Sequence, residues 1–193
     1  MKGYHYIKRG IDIILSGMAI VILSPLLLFL CIAIKLDTPG PILFKQKRVG
    51  IHRSFFQIYK FRTMRIDTPK DVPTHMLENP EQYITKVGKF LRKTSLDELP
   101  QIFNIFKGEM SIVGPRPALW NQDDLVAERE KYGANDVTPG LTGWAQINGR
   151  DELEIPDKAR LDGEYVKHLG PWMDLKCFLG TIGSVLMHDG VVE

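Results

Sequence analysis

From Ile13 to Ile34 the chain carries no charged residue. A run of about 22 apolar positions is long enough to cross a bilayer as a helix, which takes about 20. Its flanks decide how it meets the membrane. Lys2, Lys8 and Arg9 precede it, and Lys35, Lys45, Lys47, Arg48 and Arg53 follow it, so the positive-inside tendency draws both ends to the cytoplasmic side. Ser24-Pro25 lies in the middle, where a proline removes a backbone donor at a cost of about 3 kcal/mol in a helix interior. A helix broken at Ser24-Pro25 that dips into one leaflet and returns satisfies both observations. A straight or mildly kinked span is the other geometry, because a serine can re-satisfy the carbonyl that a proline frees. The run is too long for the apolar centre of a signal peptide, and Lys35-Leu-Asp-Thr-Pro-Gly40 lacks a small-residue cleavage pattern.

With 193 residues, 44% hydrophobic and 25% charged, the chain suits one packed domain plus this membrane element. The boundary predicted from the sequence puts the membrane helix at 1–36 and the folded domain at 37–193. The net charge of +2 conceals an asymmetry. Lys and Arg crowd the first half, which suits an anionic surface or substrate, while Asp and Glu dominate much of the stretch from Asp123 to Asp162. Cys31 and Cys177 have neither CxxC spacing nor a nearby His, so both are expected to be packing thiols in a reducing compartment.

Pro41–Gly50 and Ser54–Met64 read as two strands about a turn at Gly50 to Arg53, and Asp67 to Pro80 as a loop. Ile84, Val87, Phe90 and Leu91 fall at helical spacing with Lys86, Lys89, Arg92 and Lys93 opposite, which predicts a basic amphipathic helix. Leu99 to Phe106 carries a broad apolar face for a core or a membrane interface. Ser111 to Leu119 is a strand entering a Pro-Arg-Pro turn, and Gln122 to Lys131 is an exposed helix. The glycine-rich Thr138 to Arg150 has the composition of a binding loop. Helices over Ile155 to Lys167 and Met173 to Met187 close the chain.

Asp97 and Glu98 are the first candidates for chemistry. Ser95-x-x-Glu98 matches a capping box, and Pro100 is tolerable only near a helix start, so both carboxylates are expected in the first turn of a helix. Such a pair is most often a cap. Cationic company moves it towards catalysis: Lys60 and Arg62 in Lys-Phe-Arg-Thr, Arg92 upstream, Arg116 between two prolines, and Arg150 after the glycine-rich loop. Guanidinium forks match phosphate oxygens. Arg62 and Arg92 taken singly read as solvated charges, whereas the prolines about Arg116 lower the cost of ordering it. Trp144 is expected to pack beneath its loop rather than stack on a base. The five histidines show no zinc or catalytic spacing, and neither a P-loop nor a Gly-x-Gly-x-x-Gly pattern occurs. Nucleic acid is not an expected partner, because the basic residues lack interleaved exposed aromatics.

Ser24-Pro25, Lys60-Phe-Arg-Thr-Met64, Arg92-Lys-Thr-Ser-Leu-Asp-Glu-Leu-Pro-Gln101, Gly114-Pro-Arg-Pro117 and Thr138-Pro-Gly-Leu-Thr-Gly-Trp-Ala-Gln-Ile-Asn-Gly-Arg150 together resemble the monotopic phosphoglycosyl transferases of the bacterial sugar transferase family, in its small single-domain form. The resemblance covers nearly the whole chain. It implies a compact α/β (α+β) cytoplasmic domain with an N-terminal re-entrant membrane helix hairpin and interfacial amphipathic helices. It also implies a monotopic protein on the cytoplasmic face of the bacterial inner membrane.

The implied reaction moves a sugar 1-phosphate from a UDP-sugar, expected to be an N-acetylated amino sugar, to polyprenyl (undecaprenyl) phosphate, releasing UMP. This is the first membrane step of glycoconjugate, capsule or exopolysaccharide synthesis. By that resemblance Asp97 is the nucleophile, forming a covalent phosphosugar on its carboxylate, and Glu98 is a ligand of Mg²⁺. Lys60, Arg62, Arg92 and Arg116 hold phosphates, and Gln146 and Arg150 lie on the substrate side. Membrane lipids surround the anchor, and a homo-oligomer or a complex with later glycosyltransferases is an expected assembly. Many relatives carry Asn where this chain has Asp151, a departure that leaves donor choice open. Two other classes stay in view: a membrane phosphohydrolase in which water resolves the aspartyl-phosphate, and a catalytically idle scaffold of an export complex.

Overall fold

A computed structural model of the chain describes residues 2–68, 80–149 and 153–187. Helix α1 (Lys2–Asp37) is 36 residues long, about 54 Å at 1.5 Å per residue, and is long and apolar enough to cross a membrane. It is a continuous helix through Pro25, and Ser24 Oγ donates to the Val21 carbonyl at 2.8 Å. That carbonyl is the one a proline at 25 leaves without its amide, so the serine replaces the lost bond. Strands β1 (Leu43–Val49) and β2 (Phe55–Phe61) form one two-stranded sheet, joined through a 3₁₀ turn at Ile51–Arg53. Then come α2 (Lys86–Lys93), a 3₁₀ turn at Leu96–Glu98, α3 (Gln101–Lys107), β3 (Ser111–Val113) and α4 (Asp123–Glu130). Strand β4 (Gly140–Thr142), α5 (Trp144–Ile147), α6 (Ile155–Lys167) and α7 (Pro171–Met187) complete the order. The domain mixes helix and sheet, as expected. Most of the loop expected over Asp67 to Pro80 lies outside the described residues.

The chain divides into two compact units, Met18–Gln46 with Ile58–Phe103, and Met1–Gly17 with Lys47–Gln57 and Asn104–Glu193. In the former, Leu27, Leu30 and Ile34 of α1 bury against Phe61, Leu91 and Ile102, with Ile20 and Leu23 extending the same stripe. The spacing 20, 23, 27, 30, 34 is one helical face, and burying each such side chain contributes about 1.5 to 3 kcal/mol. Ile14, Val21, Leu28, Phe29 and Ile32 stay exposed on other faces of α1.

Helix α2 starts at Thr85, whose Oγ1 accepts from Gly88 N at 2.9 Å, and Thr85 N donates to Thr63 O at 3.0 Å. The helix therefore sits so close to the segment after β2 that a Cβ on Gly88 would stand 2.0 Å from Thr63 O. Elsewhere in a helix Gly→Ala is stabilising by about 1 kcal/mol. Here the sign reverses, because backbone cannot yield as a side chain can, and Gly88→Ala is expected to destabilise the protein by about 3 kcal/mol. Thermal unfolding of the detergent-solubilised variant checks this.

In the other unit β3 and β4 pair in parallel, with Ser111 opposite Gly140 and Val113 opposite Thr142. The outer edge of β3 is closed by α1. Asp12, 4% exposed, accepts from Ser111 Oγ at 2.7 Å and from Ile112 N at 3.0 Å, so a carboxylate replaces a third strand. Lys8 and Tyr4 bond Asp174 of α7 at 2.6 and 2.7 Å, and Arg9 donates to the Ile105 and Phe106 carbonyls that end α3. The first turns of α1 thus present a polar seam to this unit. Val49, Ala118, Leu125 and Ala159 form one apolar cluster, and Val113, Tyr165, Met173 and Cys177 another. Both cysteines are free thiols.

Two expectations need correction. The segment from Thr138 is largely a packed element, for β4 pairs with β3, and Trp144 Nε1 donates to Glu164 Oε2 at 3.0 Å while its ring joins the second cluster. A Cβ on Gly140 would stand 2.1 Å from Gly114 N, so glycine here serves strand contact. Helix α4 is not simply exposed either, since Leu125 and Arg129, four residues apart, are buried on one face.

Candidate active site

Lys60 lies in β2 beside Phe61, and side chains alternate along a strand. Phe61 enters the core, which turns Lys60 the other way, to Glu98 Oε1 at 2.8 Å and Asp97 Oδ2 at 3.7 Å. Arg92, in the last turn of α2, donates from Nε to Thr63 Oγ1 at 3.0 Å. Its charge acts on Asp97. Four of the expected residues, Lys60, Arg92, Asp97 and Glu98, therefore share one unit and one electrostatic cluster.

The carboxylates do not arise as the capping box predicts. Ser95 is left-handed (φ 55°, ψ 16°) and makes no side-chain cap bond; instead its carbonyl accepts from Glu98 N at 3.2 Å. That conformation swings the hydroxyl away from the amide it would cap, and costs a non-glycine residue about 1 kcal/mol or more. Asp97 and Glu98 sit in the Leu96–Glu98 3₁₀ turn, and α3 begins only at Gln101, after the proline.

The Asp97 side chain is 14% exposed. Burial pushes its carboxyl above the ordinary carboxylate range, the Lys60 ammonium opposes that rise, Glu98 adds to it, and Arg92 opposes it. Burial likewise draws the Arg92 guanidinium down, with Asp97 opposing. The result is a carboxylate with increased proton affinity, and hence increased basicity, held beside two cations. Gln101, 1% exposed, has no hydrogen-bond partner for its amide among the described residues.

Arg62 is placed differently from the expectation. It is 6% exposed, and its guanidinium donates to Pro39 O at 2.9 Å and Thr38 O at 2.8 Å, fastening the chain that leaves α1. A guanidinium so engaged is a backbone staple. Arg116 and Gln146 belong to the other unit. Arg116 is half-buried between two buried prolines, and the Gln146 amide atoms are buried without a partner among the described residues. Arg150 and Asp151 lie outside the described residues.

The metal expectation has a donor set with the right chemistry. Glu98 and Asp97 supply hard carboxylate oxygens, and a carboxylate accepts several partners at once, the Lys60 contact among them. Mg²⁺ is commonly held by one or two carboxylates together with substrate phosphates. Among the described residues no group of three or more His, Cys, Asp or Glu converges, and such binding does not require one.

The family model of bacterial sugar transferases matches residues 3–188. The chain belongs to the bacterial sugar transferase family. Among its relatives in that family is UDP-glucose:undecaprenyl-phosphate glucose-1-phosphate transferase of Escherichia coli (strain K12), 40% identical over 91% of this chain and 39% of that protein. The protein of the same name from Caulobacter vibrioides is 41% identical over 94% of this chain and 70% of its own length. UDP-N-acetylgalactosamine-undecaprenyl-phosphate N-acetylgalactosaminephosphotransferase of Aeromonas hydrophila is 38% identical over 97% of this chain and 45% of that protein. The chain thus spans about two fifths of the length of several curated family members it matches.

The fold relies on several residues that no motif pointed to. Asp12, Arg48, Arg129 and Asp162 are all held in polar networks of the fold. The 125/129 spacing was the one available signal, since a charged residue four positions from a leucine shares its helical face.

Proposed function

We propose that this sugar transferase moves a sugar 1-phosphate from a UDP-sugar to polyprenyl (undecaprenyl) phosphate through a phosphosugar carried on Asp97. The observation that carries this is the Asp97 carboxylate itself, sequestered from water, raised in basicity and flanked by Lys60, Arg92 and Glu98. A nucleophile needs basicity, and its target needs charge neutralisation. An Asp97 oxygen attacks the sugar-bearing phosphorus, the bond from that phosphorus to the bridging oxygen breaks, and UMP leaves with the electron pair. A polyprenyl phosphate oxygen then attacks the same phosphorus and returns Asp97 as the carboxylate.

Lys60 opposes the rise that burial imposes on the Asp97 carboxyl and pairs with Glu98, and Arg92 and Arg116 hold phosphate oxygens. Gln146 and Arg150 complete the substrate side. Glu98, with Asp97 beside it, would hold Mg²⁺, which when bound neutralises diphosphate charge. Arg62 supports the site by fixing the chain between α1 and β1.

The exposed apolar faces support a membrane setting. Trp172, Leu175, Phe178, Leu179 and Ile182 of α7 are exposed opposite the buried Met173 and Cys177. A re-entrant α1, with the catalytic residues at headgroup depth on the cytoplasmic face of the inner membrane, lets one Asp97 meet a soluble nucleotide sugar and a lipid phosphate. The assembly is a homo-oligomer or a complex with later glycosyltransferases. The donor is an N-acetylated amino sugar.

Incubating the full chain with polyprenyl phosphate and a panel of UDP-glucose, UDP-galactose, UDP-N-acetylglucosamine and UDP-N-acetylgalactosamine tests this. Lipid-dependent UMP release with at least one donor, strongest for an N-acetylated one and stopped by chelating Mg²⁺, is expected. Free sugar 1-phosphate without glycolipid would make the protein a phosphohydrolase. No release with any donor would leave it a scaffold.

A further inference from the structure

The Pro115-Arg116-Pro117 turn is held at every carbonyl. Gly140 N donates to Pro115 O at 2.9 Å, Arg129 Nη2 to Arg116 O at 2.9 Å, and Arg48 Nη1 to Pro117 O at 3.0 Å. Val49 N continues the series at Ala118 O, 3.0 Å away. The two backbone amides are ordinary products of strand neighbours. The two arginines are side chains brought from elsewhere, Arg48 from β1 and Arg129 from α4.

Arg129 is 5% exposed and Asp162 of α6 is fully buried. Asp162 Oδ2 accepts from Arg129 Nε at 2.8 Å, and Nη2 forms an ion pair with the same oxygen at 2.6 Å. A buried ion pair is a poor stabiliser, because desolvating both groups offsets their attraction, and an apolar pair of similar volume often serves stability better. What this pair adds is direction. Asp162 fixes the plane of the guanidinium, and Nη2, already on the carboxylate, also donates to the carbonyl of Arg116. The prolines restrict the dihedral angles about Arg116. The orientation of the peptide plane that follows Arg116 is what the Arg129 bond sets.

We propose that Arg129, oriented by Asp162, is a positioning residue that fixes the backbone of Arg116 and so the direction in which its side chain meets a donor phosphate. This rests on the assignment of Arg116 to phosphate binding above. Lysine cannot replace Arg129, since an ammonium lacks the planar fork that spans a carboxylate and a carbonyl together.

A double-mutant cycle on the full chain in detergent tests it, reading KM and kcat for UMP release and the unfolding temperature of each variant. Arg129→Lys is expected to raise KM for the UDP-sugar about tenfold with little change in kcat, because it loosens a contact to the bound donor. In the Arg116→Ala background the same change is expected to alter kcat/KM less than about twofold, since residues acting as a unit are non-additive. Equal losses in both backgrounds would mean a general structural role and overturn the proposal. Should Arg129→Lys not fold, the Arg129→Met/Asp162→Leu pair keeps the volume and removes the clamp, and is expected to show the same KM effect and the same silence on Arg116→Ala; additivity there overturns the proposal equally. Full activity in Arg116→Ala, with Asp97→Asn inactive, would sink the positioning role and leave the transferase assignment standing. A wild-type chain that releases no UMP from any donor would sink both.

Discussion

Asp97→Asn is expected to lower UMP release by about 10³-fold or more, because an amide cannot replace the carboxylate as a nucleophile towards phosphorus. The same substitution is expected to leave the protein at least as stable as the wild type. Burial raises the Asp97 carboxyl above its ordinary range, so the folded state holds a proton that the unfolded chain has already released. Stability contributed by that proton is present at low pH and declines as pH rises through the window between the ordinary carboxylate range and the raised value. Above the window the ionised side chain is a net cost, which asparagine removes. The unfolding temperature of Asp97→Asn is therefore expected at or above that of the wild type at neutral pH, with the gap closing as pH falls. Loss of activity accompanied by loss of stability would instead mark Asp97 as structural.

Lys60→Met is expected to lower kcat/KM about 10²-fold, the scale of removing one preorganised charge from a buried site. Lys60 stands 2.8 Å from Glu98 and 3.7 Å from Asp97, and it is the strongest influence holding the Asp97 carboxyl down. Without it, two adjacent carboxylates face each other with Arg92 as the remaining opposing charge in that group. Asp97 then takes up its proton at higher pH. The acid limb of the pH–rate profile is expected to move upward, so the deficit is largest at low pH and narrows as pH rises. A deficit of the same size at every pH would mean that Lys60 acts on substrate alone.

The regular elements were legible in the sequence because periodicity and punctuation agreed. The helix over Ile155 to Lys167 has its predicted bounds, and the strand pair turns at Ile51–Arg53 as the composition required. Failures came where a local pattern had a second solution. Ser95-x-x-Glu98 fits a capping box, but a left-handed Ser95 leads into a separate 3₁₀ turn instead. Thr138 to Arg150 has the composition of a loop, yet its glycines permit the close approach of β4 to Gly114. Composition cannot separate these two uses of glycine.

Within the site, Asp97, Glu98, Lys60 and Arg92 were visible as motif residues, and the structure joins them through contacts and charge. The burial of Arg62 against the Thr38 and Pro39 carbonyls was not legible, because no sequence pattern reveals which carbonyls a guanidinium will reach. Arg129 and Asp162 were invisible for the same reason. They are 33 positions apart, and the pair they form, which aims Arg129 at the Arg116 carbonyl, exists only after α4 and α6 pack.

The most direct test of the central claim is the intact mass of the purified chain after exposure to a UDP-sugar and Mg²⁺ without polyprenyl phosphate. A gain equal to one sugar phosphate, mapped to the peptide bearing Asp97, absent in Asp97→Asn and discharged to glycolipid when polyprenyl phosphate is added, is the predicted result. Lipid-dependent turnover by Asp97→Asn at the wild-type rate, or an adduct mapped to another residue, would contradict it.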